Sequence, residues 1–522
     1  MSDPAGSLPA ALAGLQDPAA YPEPVERVEV RETHVSWVLL AGEHAWKIKK
    51  PLDLGFYEAL SLERRRFLCE EELRLNRRTA PALYERVVPI TRSPGGIRLG
   101  GEGEVVDYAV CLRRFADEAL MSAMAGCGGL RPGHADALAR MVAGFHAGLP
   151  PAPGGHGEPA QVLQQAMDNF PPLRASLPMG ARRTRLDWLE DWTREAFPGI
   201  ERLLARRRRD GFVRECHGDL HLGNLVWLDE APVAFDGVEF SAALRCIDTM
   251  SEVAFLVMDL YAHGLSGLAW RFLDGYLEAT GDHGGVPLLR FFLVLRALVR
   301  AKVAAIRVHQ RADASARSQV AAYVELAFSL AHGRGPVLIA THGPAGSGKT
   351  TLARALVESL GAIRLSSDVE RKRLAGLAPL ASSGSPVGGG IYTDAFTERV
   401  YRQLADVAGG LLEAGWPTVV DAACLTRAQR ALLRAAAGPA HVCVLACCEA
   451  SEVTRLARLA ARLEAGGDPS EATAAVLARQ QSRRQPPVAD EGWICVPVDT
   501  GQLVSAVESV LMALPSRAPT AV

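Results

Sequence analysis

A glycine-rich segment, GPAGSGKT at residues 343–350, constrains the fold of this chain more than any other feature. It matches the pattern G-x-x-x-x-G-K-[ST] at every fixed position, with an apolar run before it at 337–340 and a helical pattern after it. A strand, a tight loop and a helix in this order turn backbone N–H groups toward phosphate oxygens at the start of the helix. The segment therefore predicts an α/β domain with a parallel sheet and a phosphate-binding loop (P-loop).

Each residue type in this loop has a predicted role. The glycines let the backbone approach the phosphates, Lys349 reaches the β- and γ-phosphates, and the Thr350 hydroxyl is a ligand for Mg²⁺. ATP and Mg²⁺ are therefore the expected cofactors. The predicted nucleotide-binding residues are Gly343, Pro344, Ala345, Gly346, Ser347, Gly348, Lys349, Thr350 and Thr351.

Three features after the loop favour a kinase. Asp368 follows the second predicted strand, where a carboxylate can accept a proton from a substrate hydroxyl or, alternatively, cap a helix. Asp421 ends another apolar strand, TVVD, and suits Mg²⁺ or its water shell. Arg455, Arg458 and Arg462 share one helix face, either as a lid that reaches the transferred phosphoryl group or as a solvated surface.

This half of the chain, over about residues 336–512, resembles the small P-loop kinases: gluconate kinase, chloramphenicol phosphotransferase and the kinase domain of polynucleotide kinase. The resemblance implies transfer of the γ-phosphoryl group of ATP, with Asp368 as base and the three arginines as catalytic groups. It does not identify the acceptor.

A second motif lies in the other half of the chain. CHGDLHLGN at 216–224 resembles the catalytic loop of aminoglycoside phosphotransferases and related choline- and homoserine-type kinases, with the pattern H-G-D-x-x-x-x-N. The resemblance implies that Asp219 deprotonates the acceptor hydroxyl and that Asn224 holds Mg²⁺. It also implies a second metal ligand, Asp236, in VAFDGVEF. An α+β, protein-kinase-like domain is therefore expected over residues 25–330.

The same resemblance implies a lysine that binds phosphate and a helix glutamate that pairs with it. Lys47 lies on the strand after the first predicted hairpin, and Lys49 shares its face under period-2 alternation, so both stay open. The partner is one of three consecutive glutamates, 70–72, of which we favour Glu71. The first hairpin lacks G-x-G-x-x-G, which departs from the protein-kinase pattern.

The 522 residues divide into a flexible N-terminus at 1–24, the domain at 25–330, a linker at 331–336, a P-loop domain at 337–512 and a tail at 513–522. The N-terminus has no basic stretch followed by an apolar one, and no window of 18 apolar residues occurs, so we expect a cytoplasmic chain without membrane contact. The formal net charge of −2 provides no general attraction to nucleic acid.

The sequence thus predicts an ATP- and Mg²⁺-dependent phosphotransferase with two nucleotide sites and a small polar metabolite, sugar or aminoglycoside-like acceptor. One rival is phosphorylation of a nucleic-acid 5′ end by the P-loop domain, which would require a basic channel with aromatic residues. A second rival is a non-catalytic domain that senses ATP and regulates the other. The acceptors, the coupling of the sites and the oligomeric state stay open.

Overall fold

The computed structural model describes residues 8–55, 57–311, 314–465 and 468–515. The strands are β1 (Val28–Glu32), β2 (Ser36–Ala41), β3 (His44–Lys49), β4 (Tyr84–Ser93), β5 (Gly96–Leu99), β6 (Glu104–Arg113), β7 (Val213–Glu215), β8 (Leu225–Leu228), β9 (Ala231–Ala234), β10 (Cys246–Asp248), β11 (Val337–His342), β12 (Ile363–Ser366), β13 (Thr418–Asp421), β14 (Val442–Glu449) and β15 (Ile494–Asp499). The α-helices are α1 (Leu62–Asn76), α2 (Met121–Gly126), α3 (Pro132–Gly148), α4 (Pro159–Met167), α5 (Phe170–Ser176), α6 (Ala181–Arg209), α7 (Ala242–Arg245), α8 (Thr249–Ala262), α9 (Ser266–Thr280), α10 (Val286–Arg311), α11 (Ala314–His332), α12 (Lys349–Leu360), α13 (Ser367–Leu374), α14 (Asp394–Glu413), α15 (Arg427–Ala437), α16 (Glu452–Ala465), α17 (Ala474–Arg483) and α18 (Leu503–Met512).

The described residues form two compact units. The first takes its residues from 1–130, 144–165 and 201–259, and the second from 131–143, 166–200 and 260–522. Helices α9 to α11 therefore belong to the same unit as the P-loop, although the sequence analysis places them in the predicted kinase-like domain at residues 25–330. The predicted domain boundary at 331–336 stays a prediction.

The first unit is built on an antiparallel sheet with the strand order β1-β2-β3-β6-β4-β5. Helix α1 packs on β4 and β6 through a buried stripe that includes Leu68, Cys69 and Leu75. The helix begins at Ser61, whose hydroxyl accepts a hydrogen bond from the Arg64 N–H at 3.1 Å. Sheet and helix together bring β3 and the middle of α1 close to each other, as expected for an α+β, kinase-like lobe.

The N-terminal segment differs from its expected flexibility. From Leu8 onward it is described, and Ala10–Gln16 form a 3₁₀ helix. Leu12 and Leu15 are buried in one cluster with Trp37 and Trp46 of the sheet. The buried side chains of this segment thus pack on the sheet, because apolar side chains spaced by three residues lie on one face of a 3₁₀ helix.

Short strand pairs hold the predicted catalytic loop of the first unit. β7 pairs with β10, and β8 pairs with β9, both antiparallel. The loop 216–224 connects β7 to β8, and Asp236 follows β9 directly. Both ends of the loop therefore lie on paired strands, and Asp236 is returned to the same region.

The second unit contains the predicted parallel sheet, with the order β12-β13-β11-β14-β15 and all pairings parallel. Helix α12 packs on it through Leu352, Leu356 and Leu360, which are buried together with residues of β11 and β14. The carboxyl ends of β11, β12 and β13 lead into the P-loop, α13 and Asp421. The predicted fold class is confirmed for both halves of the chain. In the described residues, no helix is long and apolar enough to cross a membrane.

Candidate active sites

In the first unit, Lys47 of β3 lies between two carboxylates. Its Nζ is 2.9 Å from Glu72 Oε1 of α1 and also donates to the carboxylate of Asp236. Lys49, two residues along the same strand, contacts Glu72 and Glu239 and is fully buried. Both lysines therefore lie on one face, as period-2 alternation predicts, but Lys47 is the one that reaches the predicted metal ligand.

The glutamate that pairs with Lys47 is Glu72, and the preference for Glu71 was wrong. Glu71 points away and pairs with Arg74 and Arg245, each at 2.7 Å. Glu72 falls on the buried stripe of α1, three to four residues from Leu68, Cys69 and Leu75, a spacing that could have identified it. Burial favours the neutral form of Glu72, but the charges of Lys47 and Lys49 outweigh it and lower its pKa to about 2.

The catalytic loop brings Asp219 and Asn224 together. Asn224 Nδ2 donates to the Asp219 carboxylate at 3.1 Å and to its backbone oxygen at 3.0 Å. The N–H of Phe235, the residue before Asp236, donates to the Asn224 backbone oxygen at 3.0 Å. The three residues that the sequence assigned to proton transfer and metal binding therefore lie in one place.

His217 of the loop and two acidic side chains of α8 hold this loop in position, and sequence reasoning missed only the two acidic side chains. His217 Nε2 lies 2.9 Å from the Phe235 backbone oxygen, and burial lowers the pKa of His217. From α8, the Glu252 carboxylate accepts the Gly218 N–H at 2.7 Å and Asp259 accepts the Leu222 N–H at 2.9 Å. A helix that presents acidic groups every seven residues is a weak signal, because most such groups face solvent.

In the second unit, the P-loop has the conformation that its glycines predict. Gly343, Gly346 and Gly348 have φ angles of 147°, 77° and 83°. A Cβ at Gly346 would lie 2.6 Å from the Arg455 carbonyl oxygen, and one at Gly348 would lie 2.5 Å from the Thr500 hydroxyl. Side chains are thus excluded at these two positions by conformation and by space.

Lys349, Thr350 and Asp421 lie together at the carboxyl edge of the sheet. Lys349 Nζ donates to the Pro344 carbonyl oxygen at 2.8 Å, and burial lowers the pKa of Lys349. Burial raises the pKa of Asp421, whereas the charges of Arg364 and Lys349 and a hydrogen bond with Thr350 oppose this. A hydroxyl and a carboxylate in contact form an oxygen donor pair of the type that magnesium takes.

A cavity of about 1090 Å³ opens at this edge. Asp368, in the first turn of α13, lines it together with Lys349, Thr350 and Asp421. The remaining members of the predicted nucleotide segment that line it are Ala345, Gly346 and Gly348. The cavity thus joins the predicted base, the phosphate loop and the metal ligand.

The three predicted lid arginines lie on α16, and among them Arg462 alone lines the cavity. Arg462 lines the cavity and pairs with Asp468 at 3.1 Å. Arg458 contacts the outside of the P-loop, with Nη1 at 3.3 Å from the Gly346 oxygen and 3.0 Å from the Thr500 hydroxyl. Arg455 does not line the cavity, although its Nε is buried and has no hydrogen-bond partner within the described ranges.

Other polar residues of the cavity come from segments in which the sequence showed no motif. They include Tyr392, Glu471, Arg479, Arg483 and Arg484, and Arg371 joins them from α13, the helix of Asp368. Arg371 donates to the Ile391 oxygen at 2.7 Å and stacks on Tyr392. Only their convergence in the fold identifies them, because isolated arginines in sequence are usually solvated.

Each unit therefore brings together a lysine, the carboxylate predicted to act as base and the predicted oxygen ligands for a metal ion, and these features define a chain of the kinase class. The family model described as AAA domain matches residues 338–487. The uncharacterized protein Rv2004c of Mycobacterium tuberculosis is 30% identical over 458 residues, which cover 87% of this chain and 90% of that protein. The chain belongs to the family of this mycobacterial protein.

Solved structures are similar to separate parts of the chain. A choline/ethanolamine kinase family protein from Mesorhizobium loti is 15% identical, with 60% of this chain and 89% of that one covered and a TM-score of 0.38. A gluconokinase from Sinorhizobium meliloti is 23% identical, with 34% and 91% covered and a TM-score of 0.25.

Proposed function

We propose that this chain is an ATP- and Mg²⁺-dependent phosphotransferase with two nucleotide sites, and that both transfer the γ-phosphoryl group to a hydroxyl of a small polar acceptor. A metabolite, a sugar or an aminoglycoside-like molecule has the required chemistry. One observation carries the proposal: on two unrelated folds, each unit brings a lysine together with the carboxylates predicted to accept a proton and to bind a metal ion.

The residues of the second unit fit magnesium and a nucleotide. Ser347 Oγ is buried and has no hydrogen-bond partner in the described part of the chain, and Gly346, Gly348 and Lys349 of the same loop line the cavity. Thr350 and Asp421 would hold the ion. Bound magnesium neutralises the charge that develops between the β- and γ-phosphates.

The residues of the first unit also fit magnesium and a nucleotide. Asp236 and Asn224 offer oxygen atoms, and Lys47 provides a positive charge beside Asp236. Asp219 has a half-exposed side chain, so it can approach an acceptor from solvent. Its role is to orient the acceptor hydroxyl and to take its proton, as Asp368 does in the second unit.

Calorimetric titration of the full chain with a non-hydrolysable ATP analogue and Mg²⁺ tests the proposal. We expect two binding sites in the unsubstituted chain, one after Lys349→Ala, and weakened binding at the other after Asp236→Asn. Circular dichroism of each variant provides the control for folding. A single site in the folded, unsubstituted chain would contradict the proposal.

A further inference from the structure

A buried arginine on β12 lies behind the metal ligand of the second unit. The side chain of Arg364 is 2% exposed, and its Nη1 lies 3.3 Å from Oδ2 of Asp421. β12 and β13 are adjacent parallel strands, with Ser366 opposite Asp421, so the sheet itself places Arg364 beneath this carboxylate. Arg364 does not line the cavity, and the proposed transfer does not use it.

Two carboxylates of α9 hold the other side of the guanidinium. Arg364 Nε is 3.0 Å from both oxygens of Asp274, and Nη2 donates to Glu278. Asp274 and Glu278 are four residues apart on α9, so they share one helix face. Arg354 lies 3.7 Å from Glu278 but is half-exposed, so it is the weaker partner.

The distances show how the charge is divided. One buried guanidinium faces three carboxylates, and it is closer to the α9 pair than to Asp421. Opposite charges attract strongly in a buried environment, so an arginine released from α9 would move toward Asp421. A closer pair would occupy the oxygen that the metal ion requires.

We propose that Asp274 and Glu278 tether Arg364 so that it orients Asp421 through one long contact with Oδ2 and does not form a closer pair with the carboxylate. Arg364 is then a positioning residue for the magnesium site, and α9 is part of the P-loop kinase although it lies outside residues 338–487. This inference rests on the proposed function of the second unit. A purely structural ion pair would stabilise the unit but would not change its requirement for magnesium.

The experiment uses the full chain with Asp236→Asn, which weakens binding at the first unit. Asp274→Asn and Glu278→Gln are introduced singly and together, and Asp136→Asn is the matched control. Asp136 also forms an ion pair with α9, through Arg271 at 2.7 Å, but it does not contact Arg364. ADP affinity is measured by calorimetry over a range of Mg²⁺ concentrations, and a signal that disappears with Lys349→Ala is assigned to the P-loop.

In the double variant, we expect the Mg²⁺ concentration that gives half of the Mg²⁺-dependent change in ADP affinity to rise about 10-fold. The reason is that the released guanidinium competes with Mg²⁺ for Asp421. ADP affinity without Mg²⁺ should stay unchanged, and Asp136→Asn should behave as the parent. If the double variant does not fold, Glu278→Gln decides the question, since this side chain is partly exposed and a smaller rise of about 3-fold is expected.

A Mg²⁺ requirement that stays within about 2-fold of the parent in the folded variants would overturn the inference, and so would an equal shift in Asp136→Asn. If the parent chain binds no ADP at the P-loop with Mg²⁺ present, the proposed function is wrong and the inference is wrong with it. The two failures are therefore distinguishable.

Discussion

The two candidate sites hold their lysines in different ways. In the first unit, Lys47 is fixed by side chains of opposite charge, Glu72 and Asp236. In the second, Lys349 contacts a backbone oxygen of its own loop, and the loop is shaped by glycines with positive φ. If the proposed function holds, a nucleotide in the first site competes with a protein carboxylate for its lysine, whereas in the second site it competes only with a backbone carbonyl oxygen.

Because the two lysines have different partners, substitutions in the two sites should affect protein stability to different extents. A buried ion pair that loses one partner leaves an uncompensated charge, which costs stability. A lysine that contacts only a carbonyl oxygen can be removed with little effect on the fold. Substitutions in the first site should therefore change both function and stability, and substitutions of the P-loop lysine should change function alone.

The largest effect is expected from Lys349→Ala. It removes the positive charge that faces the β- and γ-phosphates, so nucleotide binding to the second unit should be lost in calorimetry. The unfolding temperature of the chain should change little, and Ser359→Ala at the far end of α12 is the control. A variant that unfolds would show that the second site also depends on its lysine for stability.

The next effect is on turnover in the first unit. Asp219→Asn keeps the size and hydrogen bonds of the side chain but removes the proton acceptor, so turnover should fall by about 10²–10⁴-fold. ATP affinity should stay almost unchanged, whereas Asp236→Asn should weaken Mg²⁺-ATP binding itself. The measurement is slow ATP hydrolysis in a Lys349→Ala background.

The opposite pattern for these two carboxylates would contradict our assignment. Loss of ATP affinity with Asp219→Asn, but not with Asp236→Asn, would exchange their roles. The site would then need a different alignment with the kinase-type loop.

Glu72→Gln should reduce the stability of the first unit by about 1–3 kcal/mol, because Lys47 and Lys49 lose a shared, fully buried carboxylate but keep Asp236 and Glu239 as partners. The pKa of Glu72 is lowered from 4.5 to about 2 on folding, so its contribution is complete above pH 4.5 and is lost as the pH falls toward 2. Hydrogen exchange of the β3 and β6 amides in the unsubstituted chain and in Glu72→Gln measures the difference in stability between them. A difference that changed between pH 7 and pH 5 would indicate another titrating group.

The smallest effect is expected from the neighbouring Glu71→Gln. Glu71 pairs with Arg74, which is half-exposed, and with Arg245, so its removal should cost about 1 kcal/mol. Nucleotide affinity should not change, since Glu71 does not contact Lys47. Equal losses of stability for Glu71→Gln and Glu72→Gln in the same hydrogen-exchange measurement would contradict the conclusion that Glu72 is the more important partner.

The sequence predicted the P-loop region in most detail, because that motif depends on local backbone geometry. The strand, glycine loop and helix are contiguous, so spacing alone determined the positions of Lys349 and Thr350. Asp219, Asn224 and Asp236 were predicted from a resemblance to a kinase-type loop. The structure brings Asp236 back to this loop through the short β8–β9 hairpin.

Residues that depend on packing between distant segments could not be predicted in this way. Three consecutive glutamates do not by themselves indicate which of them faces the core. Only the spacing of the buried residues of α1 identifies Glu72. Arg364 lies close in sequence to Asp368, but its partners on α9 are about ninety residues away. No local pattern connects them, and the packed face from Leu8 to Leu15 was missed for the same reason.

The backbone at Asp236 has a consequence for the speed at which its carboxylate can leave Lys47. Asp236 is one of a few non-glycine residues with positive φ, at 62°, and its N–H donates to the Tyr84 hydroxyl at 3.2 Å. The next N–H, of Gly237, donates to Asn76 Oδ1 at 2.8 Å. Because the main chain is fixed on both sides, the carboxylate can leave Lys47 by rotation of its own side chain, a motion of picoseconds to nanoseconds, without the microsecond rearrangement of a loop.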